Sequence, residues 1–481
     1  MKQMPLKKGS KEVILDEMRL ARDEDVKWED GKAFGLIYHV DKEIDDLLKD
    51  AFLMFFSENG LNPTAFPSLK KFETEVVSIT ANLLHGDENT AGNMTSGGTD
   101  SILNAMKTAR DWARDHLPHI TEPEILLPRS AHPAFEKAGH YFGLKTVFIP
   151  VRDDLRADVN AMRTAVTENT ILMVGSAPAY PHGVVDPIRE LAAIAKEHGI
   201  LFHTDSCVGG FMLPFVKKLG YPVPDFDFSV PGVTSMSADL HKFAYSAKGA
   251  SVVLYKTAEL RRYQMFVSTE WTGGIYPSPS IAGTRPAGPI AASWAVLNYL
   301  GEEGYLEITD TVMTAVKKMQ AGVNAIEGVK VLSDPEMNVF AIASDDPSIA
   351  IYEVADELHE YGWHLDRQHF PACLHVTASY LHAAVADDFI TDLEKSVAEV
   401  RRPSIRKSAS KWFISATDFL FRILPENWVT WIMSKFSMLL GGGGGLPERM
   451  APMYGLIGTL PNRGDLKELV LDLLEPKNKR P

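Results

Sequence analysis

From about residue 76 onward the chain alternates short apolar runs with helical patterns, and that rhythm admits few folds. Strand candidates fall at 124–128, 145–150, 171–176, 200–205, 233–237 and 250–255. Helix candidates at 100–116, 133–141, 160–167 and 187–198 lie between them. The alternation predicts an α/β domain with a mostly parallel sheet. Ligands bind such sheets beyond the carboxyl ends of the strands, so the chemistry is expected in the loops that follow them.

At 481 residues the chain exceeds one ordinary core. We divide it into an N-terminal helical segment at 1–75, a large domain at 76–305 and a smaller C-terminal domain at 306–481, with an amphipathic helical insertion at about 404–440. Hydrophobic residues make up 45% and charged residues 23%, as in soluble globular proteins. The formal net charge of -14 argues against nucleic acid as the main partner, since phosphate backbones need a basic face. Cys207 and Cys373 are the only cysteines, which implies a reducing compartment, no disulfide framework and no thiolate metal site. The N-terminus has no apolar stretch of signal-peptide length, and no run of eighteen apolar residues occurs. A cytoplasmic protein without an ordinary transmembrane helix is expected.

Four stretches carry candidate chemistry. In SMSADLHKFAYSAKG, at 235–249, His241 and Lys242 follow a strand candidate. A lysine there suits an imine with an aldehyde cofactor, although most lysines are solvated surface residues. In ILFHTDSCVGG, at 200–210, Asp205 ends an apolar strand. Such a carboxylate would keep a pyridinium nitrogen protonated; it would equally serve as a helix N-cap. In NMTSGGTDSIL, at 93–103, Gly97, Gly98 and Thr99 lead into a long helix. Free N–H groups and the helix dipole make that a phosphate cradle, although many loops carry glycines. In RSAHPAF, at 129–135, His132 follows a strand and would stack on a flat ring, although a lone histidine is more often structural.

The order of the four is more specific than any one of them. Together with PHGVVDP, DFDFSVPGVTSMSADLHKFAYSAKG and TEWTGGIYPSPSIAGTRPAG, they resemble the group II pyridoxal-phosphate decarboxylase superfamily, and within it the sphingosine-1-phosphate lyases. The resemblance runs from about residue 31 to 400 and resumes at 453–455. It implies an aspartate-aminotransferase-like fold of type I and pyridoxal 5'-phosphate as cofactor. It also implies Lys242 as the Schiff-base lysine, Asp205 as pyridinium partner and His132 as stacking residue. Gly97, Gly98, Thr99 and His241 would hold the cofactor phosphate. A homodimer with shared active sites is implied too, the loop at 274–286 completing the neighbouring subunit's site.

The same resemblance places Tyr38, Asn59, Lys248 and Tyr180 near the substrate. One position departs from it: the lyases have a histidine where this chain has Asn62. Asparagine donates a hydrogen bond but carries no charge, which weakens phosphate recognition. The implied reaction is carbon–carbon cleavage of a phosphorylated long-chain amino alcohol to a fatty aldehyde and phosphoethanolamine. Tyr180 and Lys242 are both candidates for proton transfer. Two rivals remain open: an L-amino-acid decarboxylase on the same scaffold, and a catalytically silent binding protein.

The stretch 401–445 has no counterpart in the resemblance. It opens with Arg401, Arg402, Arg406, Lys407 and Lys411, then sets Trp412, Phe419, Leu420 and Ile423 at helical spacing. Pro425 breaks the pattern, a second amphipathic stretch carries Trp428 and Trp431, and five glycines follow. Such a pair suits either the protein's own surface or an anionic membrane interface at 404–440.

Overall fold

The computed structural model describes residues 4–402 apart from 24 and 63, and beyond 402 only Ala451, Tyr454, Lys467 and Leu471. The amphipathic insertion expected at 404–440 therefore lies outside the described residues. Among the described residues, no helix is long and apolar enough to cross a membrane.

Three helices precede the sheet. α1 (Lys11–Arg22) starts where the Ser10 hydroxyl accepts from the Val13 N–H, and it buries none of its residues. α2 (Lys42–Met54) is capped by the Asp41 carboxylate, which accepts from the Ile44 N–H at 2.9 Å. α3 (Pro67–Leu83) opens on a proline, where a missing N–H removes no helical bond.

The main sheet contains β1 (Ala91–Thr95), β2 (Glu124–Pro128), β3 (Lys145–Ile149), β4 (Thr170–Ser176), β5 (Leu201–Asp205), β6 (Ser235–Ala238) and β7 (Ser251–Tyr255), in the spatial order β1-β7-β6-β5-β4-β2-β3. β2 to β6 are mutually parallel, while β7 runs antiparallel to both β1 and β6. The six strands anticipated from the apolar runs all form. β1 was not anticipated: its sequence, AGNMT, mixes glycine and asparagine into an edge strand and presents no apolar run. By contrast β2, β4, β5 and β7 are buried at every residue, which is why they read as continuous apolar runs.

Helices α4 (Gly98–His116), α5 (Ala134–Phe142), α6 (Val159–Ala165) and α7 (Ile188–Glu197) connect the strands, and α4 packs across β6 and β7. Short helices α8 (Leu213–Lys218) and α9 (Ala258–Arg262) precede a two-stranded ribbon of β8 (Phe266–Ser268) and β9 (Tyr276–Ser278). α10 (Ala287–Ala325) lies along α2 and is interrupted at Gly301, whose φ of 55° and ψ of -170° are not helical.

A second sheet is antiparallel throughout: β10 (Val329–Val331), β11 (Val339–Ser344), β12 (Asp366–Gln368) and β13 (Cys373–Thr377), in the order β10-β11-β13-β12. It is accompanied by α11 (Ile351–Glu360) and α12 (Ala386–Arg401), which pack on each other. The two sheets meet closely. Gly183, at φ 77°, lies so near β11 that a Cβ there would stand 1.9 Å from the Val339 carbonyl oxygen. Beside it the Arg156 guanidinium reaches Glu336 Oε1 at 2.6 Å, and Glu336 Oε2 accepts from the Val185 N–H at 2.9 Å.

Candidate active site

β1 and β6 flank β7 and run opposite to it, so they run parallel to each other. The carboxyl ends of β1, β2, β4, β5 and β6 therefore share one edge with the amino end of β7. This topology gathers the expected residues. Gly97, Gly98 and Thr99 follow β1, His132 follows β2, Tyr180 follows β4, and Asp205 ends β5. His241 and Lys242 follow β6, and Lys248 precedes β7.

At the centre stands a residue the motif reading passed over. Lys242 Nζ lies 2.9 Å from Asp239 Oδ2, with the lysine side chain 20% exposed and the aspartate 1%. The contact is an ion pair, not a well-aligned hydrogen bond. Burial opposes charge on Lys242, but the Asp239 carboxylate outweighs it and holds the ammonium above the ordinary lysine range. Burial likewise opposes charge on Asp239, and Lys242 and His241 together hold its carboxyl below the usual range. His241 Nδ1 accepts from the Ala250 N–H at 3.1 Å, so we assign its proton to Nε2, which faces Asp239 Oδ2 at 3.6 Å. Burial lowers the affinity of His241 for a second proton.

The glycine turn is shaped for close approach. A Cβ on Gly98 would stand 2.8 and 2.9 Å from the two Asp239 oxygens and 2.9 Å from Cys207 Sγ. Gly97 adopts φ 152°, which disfavours any side chain, and lies against the His241 ring. The first N–H groups of α4 have no acceptor within the helix. A phosphate group fits this cradle, with His241 beside it. Asp205 Oδ1 accepts from the Cys207 N–H and from the Ser237 hydroxyl, both at 3.1 Å, which fixes the carboxylate at the end of β5. His132 is oriented by its Nδ1, which accepts from the Ala134 N–H at 3.1 Å. These residues fit a flat, phosphorylated aldehyde cofactor.

Around them lie the residues expected near the substrate. Lys248 Nζ stands 4.6 Å from the Tyr38 ring centroid and donates to the Leu36 carbonyl oxygen at 2.8 Å. Partial desolvation of its ammonium, helped by the Lys242 charge, brings the Lys248 pKa down to about 8, although the residue as a whole is exposed. Burial pushes the Tyr38 phenol up to about 12. Tyr180 packs on His375 of β13 with ring centroids 4.2 Å apart, and burial followed by the Asp366 charge raises its pKa.

Asn59 and Asn62 make their contacts elsewhere. Asn59 Oδ1 accepts from the Leu61 N–H, and its amide reaches the Thr284 hydroxyl at 3.4 Å. Asn62 Oδ1 accepts from the Thr64 N–H, the Thr64 hydroxyl and the Ala65 N–H, so it shapes the turn before α3. Sequence reading also missed the Arg285–Glu73 pair beneath the 274–286 loop. Both guanidinium nitrogens reach Glu73 at 2.8 Å, and Glu73 Oε1 accepts from the Met94 N–H. No local pattern signals a pair separated by 212 residues. Asp239 did leave a signal: an acid three residues before a lysine at a strand end.

Comparison with known proteins identifies the family. The family model of the pyridoxal-dependent decarboxylase conserved domain matches residues 3–343. A sphingosine-1-phosphate lyase of Oryza sativa subsp. japonica is 39% identical over 475 residues, covering 97% of this chain and 80% of that protein. Sphingosine-1-phosphate lyase 1 of Rattus norvegicus is 42% identical over 404 residues, covering 83% and 70%. Among solved structures, a Burkholderia pseudomallei sphingosine-1-phosphate lyase superposes with TM-score 0.81 at 39% identity, over 88% of this chain and 98% of that one. A Lactobacillus brevis glutamate decarboxylase shares the fold, with TM-score 0.72 at 21% identity over 84% and 96%. The chain belongs to the pyridoxal-dependent decarboxylase family, and within it to the sphingosine-1-phosphate lyases.

Proposed function

We infer that this chain is a pyridoxal-phosphate-dependent carbon–carbon lyase that cleaves a phosphorylated long-chain sphingoid base to a fatty aldehyde and phosphoethanolamine. The observation that carries the reading is the match to sphingosine-1-phosphate lyases across nearly the whole chain. Bound at this edge, pyridoxal phosphate would supply an electron sink for the carbanion left when the bond breaks. Lys242 would hold it covalently, Asp205 would face its ring nitrogen and His132 its ring face. Gly97, Gly98, Thr99 and His241 would take its phosphate. Lys248 and Tyr38, already paired, would meet the substrate phosphate. Tyr180 and Lys242 are the candidates for moving the substrate hydroxyl proton.

We also propose the homodimer. Asn59 is tied to Thr284, inside the loop expected to complete the neighbouring site. Around it Trp271, Ile275 and Ile281 are more than half exposed. A second copy would cover them and place Asn59 and Asn62 near its own substrate. The division into 1–75, 76–305 and 306–481 is likewise proposed, with two separate sheets in its favour. So is contact with the cytoplasmic face of a membrane through 404–440, which co-sedimentation with anionic vesicles at low and high salt tests.

The deciding experiment is mass spectrometry of products from sphingosine 1-phosphate, its dihydro form and a panel of amino acids. Fatty aldehyde is expected. Carbon dioxide from an amino acid, with no aldehyde from any sphingoid base, transfers the assignment to the decarboxylase reading.

A further inference from the structure

Three positive ends converge on one buried carboxylate. Asp239 faces the Lys242 ammonium at 2.9 Å and the His241 Nε2 at 3.6 Å. The α4 N-terminus comes third, since Gly98 lies so close that its missing Cβ would touch both carboxylate oxygens. The positive end of a helix dipole favours a negative charge at that point. These three are the groups assigned to the cofactor's aldehyde and phosphate. Asp205, the carboxylate assigned to the ring nitrogen, is held separately by Cys207 and Ser237.

We propose that Asp239 is a positioning residue that holds Lys242, His241 and the glycine cradle in register for cofactor capture and stays the counter-ion of the Lys242 nitrogen before and after it bonds the cofactor. The proposal rests on Lys242 being the cofactor lysine. The step balances: the ammonium meets an aldehyde and gives a protonated imine and one water, and the Asp239 carboxylate stays ionised beside it. The amine must shed a proton to solvent before its lone pair attacks the carbonyl carbon, and the nitrogen is protonated again once water leaves, so Asp239 faces a positive charge in both states.

Other titratable groups surround the pair. Tyr38 comes from the segment before α2, Tyr180 from the loop after β4 and Cys207 from the turn after β5. Lys248 comes from the loop before β7. Burial holds Tyr38 and Cys207 protonated near neutral pH, and Lys248 adds a second positive charge. Asp239 is thus the anion that offsets Lys242 directly.

The test uses the full-length protein, stripped of cofactor and then mixed with pyridoxal phosphate from pH 7 to 12. The growth of visible absorbance gives the rate. In the wild type the rate should climb to a midpoint above that of a free lysine analogue. Asp239→Asn should move the midpoint down by about one unit or more, because a buried ammonium without its anion sheds its proton more readily. Its equilibrium cofactor affinity should fall about tenfold as the cradle loses its anchor. Asp239→Glu, which keeps the charge, should retain the wild-type midpoint. Identical profiles for wild type and Asp239→Asn overturn the proposal. Should the variants not fold, a wild-type midpoint below that of the free lysine overturns it alone. Borohydride reduction and peptide mapping separate the two levels. Label on another lysine sinks the cofactor assignment, whereas label on Lys242 with unshifted profiles sinks only the role of Asp239.

Discussion

The sheet edge around Lys242 and the segment around Trp271 are built in opposite ways. At the edge the carboxylates Asp205 and Asp239 are buried, and Asp205 is held by Cys207 and Ser237 from the same chain. In the segment from β8 to Pro286 large apolar side chains stand in the open, with Trp271 58% and Ile275 73% exposed. The base of that segment is anchored through Arg285 and Glu73, with Asn59 reaching Thr284 beside it. Exposed apolar side chains of this kind suit the homodimer proposed above. On the proposed homodimer a second copy covers the open segment, so cofactor capture and association should be separable by mutation.

The largest expected effect breaks the open region from beneath. Glu73→Ala strands a mostly buried guanidinium and should cost about 3–5 kcal/mol of stability in urea denaturation. The surviving folded protein should still develop the visible absorbance of bound cofactor, because Glu73 touches none of the Lys242 cluster. Gly98→Ala tests the sheet edge. Its Cβ meets Asp239 and Cys207 inside 3 Å, so cofactor affinity should fall about tenfold, or ~1.4 kcal/mol, with the association state unchanged. Loss of association instead would show that the two regions are coupled.

Lys248 sharpens the comparison by pH. Its pKa is depressed to about 8, so the ammonium is present below pH 8 and is lost as pH rises past it. The KM for a phosphorylated substrate should stay flat below pH 8 and rise severalfold above it, by about 1 kcal/mol of lost charged contact. A KM unchanged to pH 9.5 removes Lys248 from the substrate site. The smallest effect on stability is expected at Trp271→Ser, within ~0.5 kcal/mol for an exposed position. The same variant should shift sedimentation towards the monomer and cut turnover, since the neighbouring site would lose its lid.

The difference between the regions also governs what sequence alone reveals. The edge was legible because its parts are local: a strand, a turn, then a residue of distinctive chemistry. The runs at 124–128 and 171–176 formed β2 and β4 almost residue for residue, since parallel strands buried on both faces leave an unbroken apolar trace. β1 escaped because an edge strand carrying Gly92 and Asn93 leaves none. Asp239 escaped because a motif gives order along the chain and not depth, and its weight comes from being buried beside Lys242. Arg285 and Glu73 come together only in three dimensions, so no period or spacing could have joined them. Asn62 stood out as a departure from a family pattern, yet its carbonyl oxygen serves the local turn.

Gly183 carries a last consequence. With its α-carbon against the Val339 carbonyl, and with Glu336 gripping both Arg156 and the Val185 N–H, the loop after β4 is welded to β11. That same loop carries Tyr180, and β13, the neighbour of β11, carries His375 beneath it. The antiparallel sheet is expected to melt together with the main sheet, because Gly183 and Glu336 join the two directly. The molecule should therefore lose both in a single cooperative transition, and the tyrosine keeps its place for as long as either sheet survives.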